Sequence, residues 1–164
     1  MLKYVDVIEG FQEIPDEISL CINISNCPNN CPGCHSAYLK DDIGTPLTYV
    51  ELLKLIPQHR GITCVCFMGG DKEPWEINRL ATLVKEDFNL KVAWYSGSTS
   101  LSPKIQMPNF DYIKLGPYDE KLGPLSSRTT NQIFLKIEQV EGRSFVTDIT
   151  SKFWKDVHPV DSLQ

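Results

Sequence analysis

The chain has no run of apolar residues approaching the roughly 20 that a membrane-spanning helix needs, and Met1-Leu-Lys-Tyr-Val-Asp-Val lacks the apolar core of a secretory signal. It has no lysine- or arginine-rich block, and its net charge of −5 works against nonspecific binding of nucleic acid. Internal repeats and low-complexity tracts are missing as well. At 164 residues it falls short of a full eight-unit barrel, which takes about 250, so any barrel here is incomplete. These absences leave a cytoplasmic protein of one domain over residues 1–164, with reduced thiols. Its six cysteines then serve metal or packing rather than disulfides.

Three of those cysteines stand in Cys27-Pro-Asn-Asn-Cys31-Pro-Gly-Cys34-His35. Thiolates ligate iron–sulfur clusters and zinc, and the turn formers Pro28, Asn29, Asn30, Pro32 and Gly33 bend the loop so that the sulfurs converge. A four-iron cubane takes four ligands; three thiolates leave one iron open to bind something else. The same cysteines suit a structural zinc site, with His35 or a remote cysteine as fourth ligand, or unligated thiols. Against zinc, His35 adjoins Cys34, which makes joint ligation of one ion awkward, and no second paired knuckle follows.

The pattern around the loop predicts an α/β fold. Tyr4–Ile8 reads as a short strand, and Ile18–Ile24 as a buried strand that delivers the cysteine loop at its C-terminal end. Thr48-Tyr-Val-Glu51 is a capping box opening a helix through Leu52, Leu53 and Ile56, which Pro57 and Gly61 end. Residues 62–68 form a β-branched strand running into Gly69-Gly70-Asp71; Cys64 and Cys66 share one face of it and read as packing, as does Cys21. A helix over residues 74–88 follows, then strands at 91–95 and 112–115, each closed by a turn: Ser96-Gly97-Ser98 and Gly116-Pro117. Residues 98–110 read as loop or weak helix. After residue 132, alternation on both sides of Glu141-Gly142 predicts a C-terminal β-hairpin, leaving a core of about 18–132 with hairpin and tail at 133–164. Strand–helix alternation implies a parallel sheet with right-handed crossovers, and ligands bind such sheets at the carboxyl ends of the strands. Each candidate motif falls at such an end.

Cys27-x3-Cys31-x2-Cys34 after one strand and Gly69-Gly70-Asp71 after the next resemble the radical S-adenosylmethionine (radical SAM) superfamily. Together with Tyr95-Ser-Gly97, Leu115-Gly-Pro-Tyr118 and Ser126-Ser-Arg-Thr-Thr-Asn131-Gln132, they are similar to the activating proteins of anaerobic ribonucleoside-triphosphate reductase. The resemblance implies an incomplete, partial TIM-type barrel with crossover helices. It implies Cys27, Cys31 and Cys34 as ligands of a [4Fe–4S] cluster, with S-adenosyl-L-methionine chelating the open iron. Gly69, Gly70, Asp71 and Ser96 would meet that cofactor, with backbone at His35 against its adenine. Where relatives usually have glutamate, this chain has Asp71, with Glu73-Pro74 two residues on. The implied activity is reductive cleavage to a 5′-deoxyadenosyl radical, which installs a glycyl radical on the reductase, fed by a low-potential donor such as flavodoxin. Lys114 and Asn131 are further candidates for the mouth of the site. Two other readings stay open: an activase of another glycyl-radical enzyme or a small-molecule radical SAM enzyme, and a zinc or electron-transfer module.

Overall fold

The computed structural model describes residues 1–29, 31–33 and 37–154. Eight strands form one mixed sheet: β1 (Lys3–Gly10), β2 (Ser19–Ile24), β3 (Thr45–Pro46), β4 (Cys64–Met68), β5 (Lys91–Tyr95), β6 (Tyr112–Leu115), β7 (Ile133–Val140) and β8 (Arg143–Asp148). Their order is β3-β1-β2-β4-β5-β6-β7-β8. The middle four, β2, β4, β5 and β6, run parallel, while β1, β3, β7 and β8 are attached antiparallel at the flanks. The sheet is thus not closed, with β3 and β8 at its edges.

The two α-helices among the described residues, α1 (Tyr49–Leu55) and α2 (Pro74–Phe88), cover one face. Alternation along the parallel strands sends Leu20, Ile22, Val65, Phe67, Val92 and Trp94 toward those helices, where they meet Leu52, Ile77, Leu80 and Val84. Fully burying a side chain such as Leu80 contributes roughly 1.5–3 kcal/mol. The intervening residues Cys21, Cys64, Cys66, Ala93 and Tyr112 face the other way and pack with Ile14, Leu125 and Phe134. Strands buried on both faces explain why residues 62–68 read as a continuous apolar run.

Local chemistry sets the element ends. Thr48 caps α1 by accepting from the Glu51 N–H at 3.2 Å, as the capping box predicts; the Glu51 carboxylate instead accepts from the Tyr4 hydroxyl at 2.7 Å. Pro74 opens α2, and Asn89, in the left-handed region at φ 53°, closes it. The predicted hairpin forms on a two-residue turn with Glu141 and Gly142 at φ 51° and 76°. The connection before Thr45 holds a short 3-10 turn (Ala37–Lys40) and is followed by β3, which pairs with β1. Residues 98–110, read from the sequence as loop or weak helix, are loop with a 3-10 turn at Met107–Asn109, so the crossover from β5 to β6 lacks the α-helix that strand–helix alternation implies. Ile105 and Phe110 from this segment fill the space a helix would take.

Candidate functional site

Cys27 follows β2 and Asn26, whose left-handed backbone (φ 59°) turns the chain out of the sheet. The loop is then pinned to the next segment, with Asn26 N–H donating to Asp41 O at 3.0 Å and Cys27 N–H to Leu39 O at 2.8 Å. Cys27 and Cys31 are half-buried and both line a cleft of about 160 Å³ at the carboxyl ends of the parallel strands. Cys34 and His35 lie outside the described residues. Among the described residues no three His, Cys, Asp or Glu side chains converge as a metal set.

The Gly69-Gly70 turn forms the facing wall. Both glycines have positive φ, 107° and 90°. A Cβ on Gly69 would lie 3.1 Å from Ile24 O, and one on Gly70 would lie 2.6 Å from Cδ1 of Ile77, so larger residues are excluded twice over. Gly69 is held on both sides: its N–H donates to Tyr95 O at 3.0 Å, and its carbonyl accepts from the Trp94 indole at 2.7 Å.

Asp71 ties three loops together. One oxygen accepts from the Ser96 hydroxyl; the other accepts from Gly97 N–H at 2.8 Å and from the Asn29 side-chain amide at 2.9 Å. A Cβ on Gly97 would collide with that Asn29 amide, so the glycine is what lets the cysteine loop reach the carboxylate. Ser96 is 1 % exposed and spends its hydroxyl on Asp71 and on Ser98 N–H, 3.1 Å away. Asp71 and Ser96 are therefore brought together, and in this arrangement each is engaged with the protein itself.

No family model, curated protein or solved structure matches this chain.

Lys114, a candidate for the mouth of the site, lines the cleft while itself only 8 % exposed. Its ammonium donates to Ser96 O at 3.0 Å and Gly116 O at 2.8 Å and lies 5.8 Å from the Tyr95 ring centroid. Burial pushes the Tyr95 phenol well up, which keeps it a neutral donor to the Glu13 carbonyl. Asn131 donates to Pro117 O at 3.1 Å and borders an adjoining groove with Cys31, Tyr118 and Lys121. Asn29, Tyr118 and Gln132, which the sequence offered only as a turn former and as members of motifs, all line the cleft. Asn29 looked like a turn former, and nothing in its spacing signalled a partner 42 residues away.

The donor set suits a thiophilic centre. Two thiols share a mainly apolar cleft with Ile24, Leu39 and Met68, surroundings that favour soft sulfur ligation. A second groove shares Asn29, Asp71 and Gly97 with the cleft and continues along the hydroxyl-rich Ser98-Thr99-Ser100 segment, giving a polar extension for a larger ligand. No helix among the described residues is long and apolar enough to cross a membrane.

Proposed function

We propose that this chain is a radical SAM activase that installs a glycyl radical on an anaerobic ribonucleoside-triphosphate reductase in the cytoplasm. One observation carries the reading: Cys27 and Cys31 share a cleft with the Gly69-Gly70-Asp71 turn and the end of β5, although these segments are far apart in sequence. The parallel strands β2, β4, β5 and β6, with α1 and α2 on one face, are taken as a fraction of a TIM-type barrel. Its missing strands would leave one side open to a protein substrate.

In this reading Cys27, Cys31 and Cys34 hold a [4Fe–4S] cluster. When bound, the cluster and S-adenosyl-L-methionine supply a reductively generated carbon radical for hydrogen abstraction from a glycine, with the electron drawn from a donor such as flavodoxin. The protein's own part is positional. Gly69 and Gly70 let the turn pack tightly against Ile24 and Ile77, which sets Gly69 and Asp71 in the cleft wall. Leu39, Met68 and Tyr95 give the cleft apolar walls. Lys114 places a positive charge in its wall, which favours a carboxylate-bearing ligand. Asp71 fixes the cysteine loop against the ends of β4 and β5 through Asn29, Ser96 and Gly97.

The test is electron paramagnetic resonance on anaerobically reconstituted, reduced protein with and without S-adenosylmethionine. A [4Fe–4S]⁺ signal that changes on adding the cofactor is expected. Alanine at Cys27, Cys31 or Cys34 should abolish the signal, while alanine at Cys21, Cys64 or Cys66 should leave it in place. Zinc without acid-labile sulfide, or the reverse pattern among the variants, would refute the assignment.

A further inference from the structure

The two edges of the sheet are treated differently. At one edge β3 is two residues long and includes Pro46, which cannot donate to another strand. At the other, β8 offers six consecutive residues, all exposed. It contains no proline, lysine or bulge, and it carries Phe145 and Val146 at 53 % and 42 % exposure, beside Val140 at 51 %. A long, regular, partly apolar edge of this kind is a template for another strand.

The register tells which backbone groups are free. Val140 pairs with Arg143 across the two-residue turn, Glu138 with Phe145, and Lys136 with Thr147. In such a hairpin the closing pair is hydrogen-bonded, so residues 143, 145 and 147 turn their N–H and C=O groups toward β7. Ile149 continues the series, its N–H donating to Phe134 O at 2.9 Å. Ser144, Val146 and Asp148 therefore direct theirs outward.

We propose that β8 joins the β8 of a second copy in an antiparallel pair centred on Val146, making one continuous sheet across a two-fold axis. A two-fold perpendicular to the sheet keeps each residue on its own face, so the centre must fall on a residue rather than between two. Centred on Val146, the outward groups of all three residues find partners: Val146 faces Val146 of the second copy, and Ser144 faces Asp148 of the second copy on either side. Each of these narrow pairs exchanges both of its backbone hydrogen bonds. The side chains agree with this register. A serine hydroxyl meets a carboxylate at both ends, Phe145 lies opposite Thr147 of the second copy, and no like charges oppose one another. Centring on Phe145 instead would set Ser144 against valine and leave Asp148 beyond the strand, opposite Gly142 of the turn. The match between this strand and its own reverse is the ground for choosing a second copy as the occupant.

Sedimentation equilibrium on the whole chain, over a range of protein concentration, tests the pairing. The wild type should show a reversible monomer–dimer equilibrium. Val146→Pro removes an outward N–H without touching the β7–β8 ladder, and should weaken dimerisation at least about 10-fold, since both bonds across the axis are lost. Val146→Lys, at an exposed position that tolerates charge, should do the same by opposing two ammonium groups, with part of the loss recovered at high salt. Circular dichroism confirms that each variant is folded, and Val146→Lys decides the matter if the proline variant is not. A wild type that stays monomeric at every concentration would overturn the pairing, as would a dimer whose dissociation constant neither variant changes.

Discussion

Asp71 is the residue on which the site's geometry turns. Its carboxylate accepts from a hydroxyl, a backbone N–H and an amide, each belonging to a different residue of the two adjacent loops. Asp71→Asn keeps the shape but replaces one acceptor with an N–H₂ group that must face other donors. We expect a stability loss of about 1–3 kcal/mol, read from denaturant midpoints, together with weaker binding of S-adenosylmethionine. Unchanged stability would mean that the three loops are held by other contacts. The glycines and the aspartate were legible in the sequence because a Gly-Gly-Asp turn after an apolar strand has few uses. Asn29 was not legible as a site residue, and Lys114 was legible only as a candidate for the mouth, not as the buried ammonium that bonds the ends of β5 and β6. Their roles depend on which strand ends lie side by side, and the pairing of β4 with β5 and of β5 with β6 is a tertiary fact.

At the scale of elements, the signals that worked were local and redundant. The residues of α2 carry helical periodicity, a proline at the start and an asparagine at the end, and its bounds match the expectation residue for residue. The same holds for β5 and β6, bracketed by turn residues. The short strand β3 escaped notice because a two-residue strand carries no period; only its pairing with β1 defines it. The α1 cap offers a direct check of local energetics. Thr48→Ala removes the acceptor of the Glu51 N–H and should cost about 1 kcal/mol. A Thr48→Ser variant, which retains the hydroxyl, should recover most of it, and equal losses in both would show that the threonine methyl rather than the cap matters.

For the molecule as a whole, burial of protonated groups ties stability to pH on the alkaline side. Desolvation comes first among the causes that raise the Tyr4 and Tyr112 phenols from 10.0 to about 12; for Tyr4 the bond to Glu51 adds to it. Burial likewise pushes the Cys64 and Cys66 thiols well above the ordinary 9.0. A group whose pKa is higher in the folded chain gives its full contribution below the unfolded value and loses it as pH rises through the folded one. The denaturant midpoint should therefore hold steady up to about pH 8.5, begin to fall near 9 as unfolded thiols ionise, and fall faster from 10 to 12 with the tyrosines. A midpoint that rises across this range would contradict the assignment of these groups as neutral in the folded chain.

The placement of the cysteines also divides the thiols into two chemically distinct populations. Cys21, Cys64 and Cys66 are sealed in the sheet at 3 % exposure or less, and burial holds the Cys64 and Cys66 thiols well above their ordinary value. Cys27 and Cys31 stand half-open at the rim of the cleft. An alkylating reagent or oxidant arriving from solvent meets the rim thiols first, since attack needs both access and thiolate. Damage would therefore begin at the loop on which the proposed chemistry depends, while the buried thiols kept the sheet intact, so that activity would be lost before the fold.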